Sequence, residues 1–539
     1  MTDIEIPLGK RKGLYRFLEM LPALTSYSLL LLPIVLSLIS PFLASVFIIG
    51  YIILWFVKAM VMVRHTIYGY RAMHLVQKVN WTQRLADLEN PSAALLRQQG
   101  KIKQWHESAH IKNLHSITSQ PNAYYRPSEI YNAIIMPMYK ETREVVEPSI
   151  QAILDSNYDN KRVIFILAYE QRAGKDTEML AKDLADKYRS NFHHSVAINH
   201  PQGIPGELVG KGGNITNAGK YLQDFLARKR IEPDKVIVTT PDADNRLSPS
   251  YLANVTYEYI IDLKHRHRSY QPIALYLNNI WDVPAPMRVM ATGNSFWTII
   301  ASQRPHMLRN FSCHSQGMGS LIDTNFWSVR TIVEDGHQYW RSFFRFDGDY
   351  EVTPIYSPVY QDAVLSSTYW STLKAQFVQL RRWAYGASDV AYVGTRGFRK
   401  KSKVPTFLFI GRFLMLLDSH VSWAVAPLII TFGAWFPLFI NHQAYRSSII
   451  VHELPSIAST LQQIAMVGLF VMMFLSFKML PPRPARYKRR RTIFMLLQWV
   501  FMPFTSVIYG SSAALYSQTR LLLGKYLDKF DVTVKYVKQ

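Results

Sequence analysis

Apolar residues in this chain gather into long uncharged runs near both ends, while the region between them alternates short apolar runs with amphipathic ones. Met20 to Val57 holds no charged residue over 38 positions. A helix rises about 1.5 Å per residue, so about 20 residues cross a bilayer core. The run is long enough for two crossings with Ser40-Pro41 as the turn. It is too long for the apolar part of a cleavable signal peptide. Toward the C-terminus, Val421 to Ile440 and Ser459 to Phe477 are uncharged and of spanning length. Thr492 to Thr519 is also uncharged but contains Gln498, Pro503, Gly510 and Gln518, which suits an interfacial or re-entrant helix as well as a crossing.

The middle region reads differently. Ala133 to Met136 predicts a buried strand, followed by a helix over 144–156. Arg162 to Ala168 predicts a second strand and 176–188 a helix, then His194 to Asn199 a third strand, a Gly-rich loop and a helix over 214–229. Lys235 to Thr240 predicts a fourth strand that runs into Pro241-Asp242-Ala243-Asp244. Such alternation indicates a mostly parallel sheet with helices on both faces, whose ligands bind at the carboxyl ends of the strands. The pattern divides the chain into a basic lead and hairpin (1–63), a helical connector (64–129), an α/β domain (130–395), an interfacial helix (396–420), two spanning helices (421–480), a basic loop with an interfacial or re-entrant helix (481–525), and a C-terminal segment (526–539).

Charge changes the picture only in one respect. The 539 residues are 49% apolar and 18% charged, with a net charge of +23. A nucleic-acid partner is disfavoured because the basic residues cluster beside apolar segments, at Lys10-Arg11-Lys12, Arg399-Lys400-Lys401 and Arg483 to Arg491, without interleaved aromatics on one face. Clusters so placed follow the positive-inside pattern and contact membrane lipids. With them cytosolic, the N-terminus, the large middle region and the 481–491 loop share the cytosolic side of an inner or plasma membrane. A single cysteine, Cys313, excludes an intrachain disulfide framework and fits a reducing compartment.

Four groups of residues carry candidate chemistry, each with a blander alternative. Asp242 and Asp244, one residue apart past a buried strand, can hold a hard divalent cation against a diphosphate; an acidic turn before a helix has the same pattern. Lys211-Gly212-Gly213-Asn214 can present backbone N–H groups and an ammonium to phosphate, or simply make a glycine turn. It is not a Walker loop, since Pro205 and Gly212 stand where that loop needs Gly and Ser or Thr. Glu334-Asp335, at the start of a predicted helix, can accept a proton from an attacking hydroxyl or complement the helix dipole. His337 reads as a metal ligand or a structural residue. Gln379, Arg382 and Trp383 share a helix face. The arginine can neutralise a departing diphosphate and the indole can stack on a sugar, or the group can be an interfacial tryptophan with snorkelling arginines.

Taken in order, these residues resemble the membrane-embedded family 2 glycosyltransferases, which include cellulose, chitin and hyaluronan synthases. Pro137, Tyr139 and Glu141 look like the family's Pro-x-Tyr-Asn-Glu segment, and Asp242-Ala243-Asp244 is similar to its D-x-D site. Phe311 to Ser315 looks like a variant of Phe-Phe-Cys-Gly-Ser, Glu334-Asp335 resembles the end of Thr-Glu-Asp, and Gln379 to Trp383 matches Q-x-x-R-W. Phe530, Val532, Thr533 and Lys535 match the F-x-V-T-x-K gating loop of cellulose synthases. Three departures stand out: Ala168-Tyr169-Glu170 where the family reads the nucleotide base with an Asp, Val333 for the usual Thr, and His314 for a glycine.

The resemblance implies a cytosolic GT-A type α/β domain, a Rossmann-like mixed sheet, inserted between transmembrane helices. It implies an inverting transfer from a UDP-sugar that uses Mg²⁺ or Mn²⁺ at Asp242 and Asp244. Tyr139, Glu141, Glu170 and Lys211 would meet the donor, and Cys313, His314, Gln379 and Trp383 a glycan or glycolipid acceptor. Glu334, Asp335 and Arg382 would carry catalysis, with Asp335 the base. A gating loop on the cytosolic side implies that the C-terminus, like the N-terminus, is cytosolic, with four crossings, an interfacial helix near 404–417 and a 492–519 stretch that does not cross. Two products remain open, a growing polysaccharide or one sugar on a lipid or polyprenyl carrier. An accessory export protein, a homo-oligomer and a catalytically silent membrane scaffold also remain open.

Overall fold

Val163–Glu170 is buried along its whole length, and it forms the centre of the parallel half of an eight-stranded mixed sheet. The computed structural model describes residues 5–98, 105–400, 402–441, 448–527 and 536. Two units emerge, the first from Met1–Ile6, Arg71–Leu275 and Arg304–Gln361, the second from Pro7–Tyr70, Tyr276–Gln303 and Asp362–Gln539.

In the first unit the strands are β1 (Tyr131–Met138), β2 (Val163–Glu170), β3 (His194–His200), β4 (Val236–Thr239), β5 (Arg246–Leu247), β6 (Arg268–Leu275), β7 (Ser315–Gly317) and β8 (Glu351–Tyr360). Their spatial order is β3-β2-β1-β4-β7-β6-β8-β5. The four strands expected from sequence are β1 to β4, all parallel, with Ile134 opposite Phe165 and Ala133 opposite Val238. The pleat sorts them into two cores. Ile134, Met136, Phe165 and Leu167 face one side, while Ala133, Ile135, Ile164 and Ile166 face the helix Lys211–Lys229 on the other. Continuous apolar runs are what burial on both faces requires.

The other half of the sheet departs from the parallel pattern. β7 runs antiparallel to both β4 and β6, and β5 antiparallel to β8. With the sequence Ser-Gln-Gly, β7 has no apolar signature; it is held by side chains, Ser315 Oγ lying 2.7 Å from both Thr239 Oγ1 and Tyr251 OH. The connector contributes helices Trp81–Glu89, Pro91–Gln98 and Trp105–Ser119. His110 fastens them to the helix Tyr251–Ile261, its Nε2 3.2 Å from Asp87 and its Nδ1 2.8 Å from the Tyr257 hydroxyl.

Among the described residues, five helical runs are long and apolar enough to cross a membrane: Gly13–Ile39, Pro41–Gln77, Thr406–Ile440, Ile449–Met479 and Arg490–Leu522. Ser40 breaks the first two, at the expected turn. The helix beginning at Pro41 passes position 63 without interruption. Where a separate interfacial helix near 404–417 was expected, one helix runs over Thr406–Phe432. Arg412, Asp418 and His420 interrupt its apolar character but not its backbone hydrogen bonding. Four crossings were expected, and Arg490–Leu522 is a fifth run of spanning length. Its path passes through a π-helical stretch, Ser506–Ser511, after a short helix that Pro503 helps to start.

The start of the first of these helices also braces the end of the last. Arg16 donates to the carbonyls of Leu521 and Leu522, each at 2.6 Å, satisfying acceptors that a helix end leaves open. Buried Glu19 accepts from Arg11, from Arg16 at 3.1 Å and from the Tyr526 hydroxyl at 3.0 Å.

Candidate active site

Strand β4 ends at Thr239 and the chain turns through Asp242-Ala243-Asp244, so its carboxylates emerge at the carboxyl edge of the sheet. Thr240 ties this turn to the neighbouring segment: its N–H donates to His314 O at 3.3 Å and its carbonyl accepts from Cys313 N at 3.2 Å. Cys313 is buried in the left-handed region, at φ 63°. That conformation is uncommon outside glycine and costs about 1–3 kcal/mol. Burial, then the nearby Asp242, pushes the Cys313 thiol well up, so the sulfur stays protonated and unreactive.

Lys211 opens the helix Lys211–Lys229 and extends its side chain among three carboxylates. Its Nζ lies 2.9 Å from Asp242 Oδ1, 3.2 and 3.1 Å from the two Asp335 oxygens, and 3.8 Å from Glu334 Oε1. Burial alone would lower the ammonium's pKa. Asp242, Asp335 and Glu334 outweigh that and hold it above the ordinary lysine value, so it is charged. Gly212 is required beside it, because a Cβ there would collide with the Ser328 carbonyl. Asn214 anchors the same turn to the sheet, donating to Ala168 O at 2.7 Å.

Asp242 also accepts from Ser312 Oγ at 2.6 Å, and Asp244 is buried. Glu334 and Asp335 occupy the first turn of the helix Glu334–Arg345, where the dipole favours carboxylates. His314 Nδ1 lies 3.0 Å from Phe311 O and 3.8 Å from Asp335 Oδ1, while Trp327 Nε1 donates to its Nε2 at 3.3 Å. Burial lowers its pKa. A neutral ring with Nδ1–H donating to Phe311 satisfies all of this. His337 is buried in the same helix.

At the ends of β1 and β2, Tyr139 and Glu170 meet around a residue that the sequence pattern did not single out. Arg172 pairs with Glu170 and lies 4.1 Å above the Tyr139 ring, and Glu141 accepts from Tyr139 N at 2.7 Å. Only the closeness of Arg172 to Glu170 in the chain could have signalled it. Ser312 is a second such residue, and its signal was its place in the Phe311 to Ser315 segment.

Gln379, Arg382 and Trp383 belong to the second unit, on the helix Tyr369–Ala384. Gln379 is buried and accepts from Gln376 at 3.2 Å; Trp383 packs at a tilt against Tyr276, centroids 6.3 Å apart. Neighbouring Arg381 lies 5.5 Å from the Tyr516 ring centroid, and its carbonyl accepts from Ser517 Oγ at 2.7 Å. Phe530, Val532, Thr533 and Lys535 lie outside the described residues.

The first unit therefore brings Lys211, Asp242, Glu334, Asp335, Cys313 and His314 together. Among the described residues no group of three or more His, Cys, Asp and Glu is arranged to hold a metal ion. Asp242 and Asp244 are oxygen donors of the type that Mg²⁺ or Mn²⁺ takes, and both Asp242 oxygens are engaged here, Oδ1 by Lys211 and Oδ2 by Ser312. Such ions are ordinarily held by one or two carboxylates, with water and substrate phosphate completing the shell.

No family model and no curated protein matches the chain. Among solved structures it is similar to the mannosyltransferase PcManGT from Pyrobaculum calidifontis in complex with GDP-Man and Mn²⁺, at 11% identity and a TM-score of 0.43, over 86% of this chain and 100% of that one. It is also similar to residues 1–349 of S. aureus TarS in complex with UDP-GlcNAc, at 9% identity and a TM-score of 0.34, over 74% of this chain and 93% of that one.

Proposed function

We propose that the chain is a membrane glycosyltransferase that transfers a sugar, with inversion, from a UDP-sugar to the end of a growing polysaccharide. The observation that carries this reading is the charged cluster at the end of β4, where a strand-end aspartate, a helix-start carboxylate pair and a buried lysine converge. In the reaction the acceptor hydroxyl oxygen forms a bond to the anomeric carbon as its proton passes to an Asp335 oxygen. The bond from that carbon to the diphosphate breaks, and the nucleoside diphosphate leaves with the electron pair.

Each residue's task follows from its chemistry. Tyr139, Glu141 and Glu170 hold the nucleoside end of the donor at the edge of β1 and β2. Lys211 keeps Asp335 oriented and supplies positive charge beside the diphosphate, and Arg382 supplies more as charge grows on the leaving group. Trp383 and Gln379 are assigned to the acceptor sugar, and Cys313 and His314, both enclosed, to shaping the wall of its pocket rather than to direct contact. Asp242 and Asp244 would hold Mg²⁺ or Mn²⁺, which when bound offsets diphosphate charge.

A second reading, transfer of one sugar to a lipid or polyprenyl carrier, draws on a separate observation. The second unit contains an apolar cavity of about 540 Å³ between two of its long helices, lined by residues such as Leu31, Ile34, Phe432 and Trp435. Such a lining suits a hydrocarbon chain. UDP release by the purified, detergent-solubilised chain, across a panel of UDP-sugars with and without Mn²⁺ and with products sized, tests both. Metal-dependent turnover of one donor into long chains supports the synthase, and a single-sugar lipid product supports the carrier. A folded protein inert toward every nucleotide sugar would leave a silent membrane scaffold.

A further inference from the structure

Three of the arginines around the 481–491 loop are spent on building it. Asp282 accepts two bonds from Arg486, at 2.7 and 2.9 Å, and one from the Tyr487 hydroxyl at 2.5 Å. Arg491 donates to the Trp281 carbonyl at 2.9 Å, and Trp281 Nε1 returns a bond to Pro481 O at 3.0 Å. Beneath them the buried Arg288 reaches Val283 O and Gln498, each at 2.5 Å. This bracing holds the loop in one shape and leaves three consecutive cations, Lys488, Arg489 and Arg490, exposed at its rim.

The helix that starts there turns a strongly apolar face outward. Ile493, Phe494, Leu497, Val500 and Phe504 are all exposed, each by more than half of its surface. A contiguous patch of that kind is foreign to a water-facing surface. It follows the three cations directly, at the start of the run Arg490–Leu522, and the run Ile449–Met479 ends just before the loop. Charge in this part of the chain is also one-sided, since no Asp or Glu occurs from Leu454 to Leu527. Asp282, an acid packed against the loop, is engaged with Arg486 and Tyr487.

We propose that Lys488, Arg489 and Arg490 form a docking site for the headgroup of an anionic phospholipid, whose acyl chains lie along the exposed face of Ile493, Phe494 and Leu497. The apolar face sets the depth, and the braced loop presents the three cations at the level of the phosphates. Basic residues near an anionic bilayer surface each contribute attraction that fades within a Debye length. The site involves none of the residues assigned to sugar transfer.

The test is competitive. The full-length chain is held in mixed micelles containing equal phosphatidylglycerol and phosphatidylcholine, and the lipids retained on the protein are counted by native mass spectrometry. Wild type is expected to enrich phosphatidylglycerol, and the folded triple variant K488Q/R489Q/R490Q to bring the ratio close to that of the bulk mixture. Each neutralisation is expected to weaken retention by up to about fivefold. A control triple, K220Q/R228Q/K229Q, removes the same charge from the first unit and is expected to retain the wild-type ratio. Equal retention of both lipids by wild type would overturn the proposal. So would an unchanged ratio in the loop variant, an equal loss in the control, or displacement of the enriched lipid by millimolar inorganic phosphate at constant ionic strength. That last outcome would mark a free-anion site.

Discussion

Lys211 donates to both carboxylate oxygens of Asp335, at 3.2 and 3.1 Å, while standing 2.9 Å from Asp242. One ammonium therefore joins the strand-end aspartate to the carboxylate assigned as the base. The two substitutions at this pair should behave differently. Asp335→Asn keeps the volume and a hydrogen-bond acceptor but cannot take a proton. Turnover should fall about 10²- to 10⁴-fold, with UDP-sugar binding retained in a calorimetric titration. Loss of donor binding would contradict the role of base. Lys211→Met instead leaves buried Glu334 and the partly exposed Asp335 and Asp242 without their shared counter-charge. The loss should appear as a lowered unfolding temperature even without substrate.

Asp244 makes a separate prediction. It is buried at the end of the turn that follows β4, two residues past Asp242. Asp244→Ala should weaken Mn²⁺-dependent donor binding while leaving the protein folded. Titrating UDP with and without Mn²⁺ checks it, and an unchanged metal increment would remove Asp244 from the site.

Gly212→Ala tests the ground on which Lys211 stands. The added methyl would overlap the Ser328 carbonyl, a backbone atom that no side-chain rotation can move aside. The helix start or the 328 segment must shift, at a cost typical of overpacking, about 1–3 kcal/mol. Because that shift also moves Lys211, donor-dependent turnover should fall along with stability. A variant as stable and active as wild type would mean that the two segments have room to part.

The parts of this architecture legible beforehand are those with a local signature. β1, β2 and β4 were readable because both their faces are buried, which leaves runs such as Ile134-Ile135-Met136 and Val163 to Ala168. The turn at Ser40-Pro41 was readable from a charge-free run too long for one crossing. β7 was not, because Ser315-Gln316-Gly317 owes its place to hydroxyls on Thr239 and Tyr251 rather than to its own apolarity. Placement of Tyr276–Gln303 within the helical unit was equally hidden, since it depends on Arg288 meeting Gln498, 210 residues away. Residue types in order singled out Lys211, Asp242 and Asp335, which the fold brings side by side. They could not report that one ammonium bridges both aspartates, nor that His314 spends both ring nitrogens on Phe311 and Trp327.

That use of His314 carries a consequence. Its ring is wholly enclosed, and Trp327 donates to it at 3.3 Å. His314→Gly should open a cavity and strand the buried indole N–H, lowering stability by roughly 2–5 kcal/mol. A thermal melt monitored by Trp fluorescence reads it, and an unchanged melting point would show that the ring is not part of the core. His314→Asn, shorter but polar, should recover part of the loss.

Glu258, on the helix Tyr251–Ile261, retains part of its surface exposed, but burial pushes its carboxyl up to about 7, with Arg84 opposing the rise and Asp262 adding to it. The unfolded chain releases that proton near the ordinary value of 4.5. Between the two values the folded state holds a proton that the unfolded state has lost. Stability from this group therefore falls as pH rises through that window, and above about pH 7 it levels off at its lowest value. A tenfold difference in proton affinity between the folded and unfolded states corresponds to about 1.4 kcal/mol, an upper bound for a group with some access to water. Glu258→Gln removes the titration while keeping the shape. The variant should melt higher than wild type at about pH 8 and nearly together with it at about pH 4.5, with the gap opening between them. A difference in melting temperature that stays constant across this range would mean that Glu258 is solvated and ordinary.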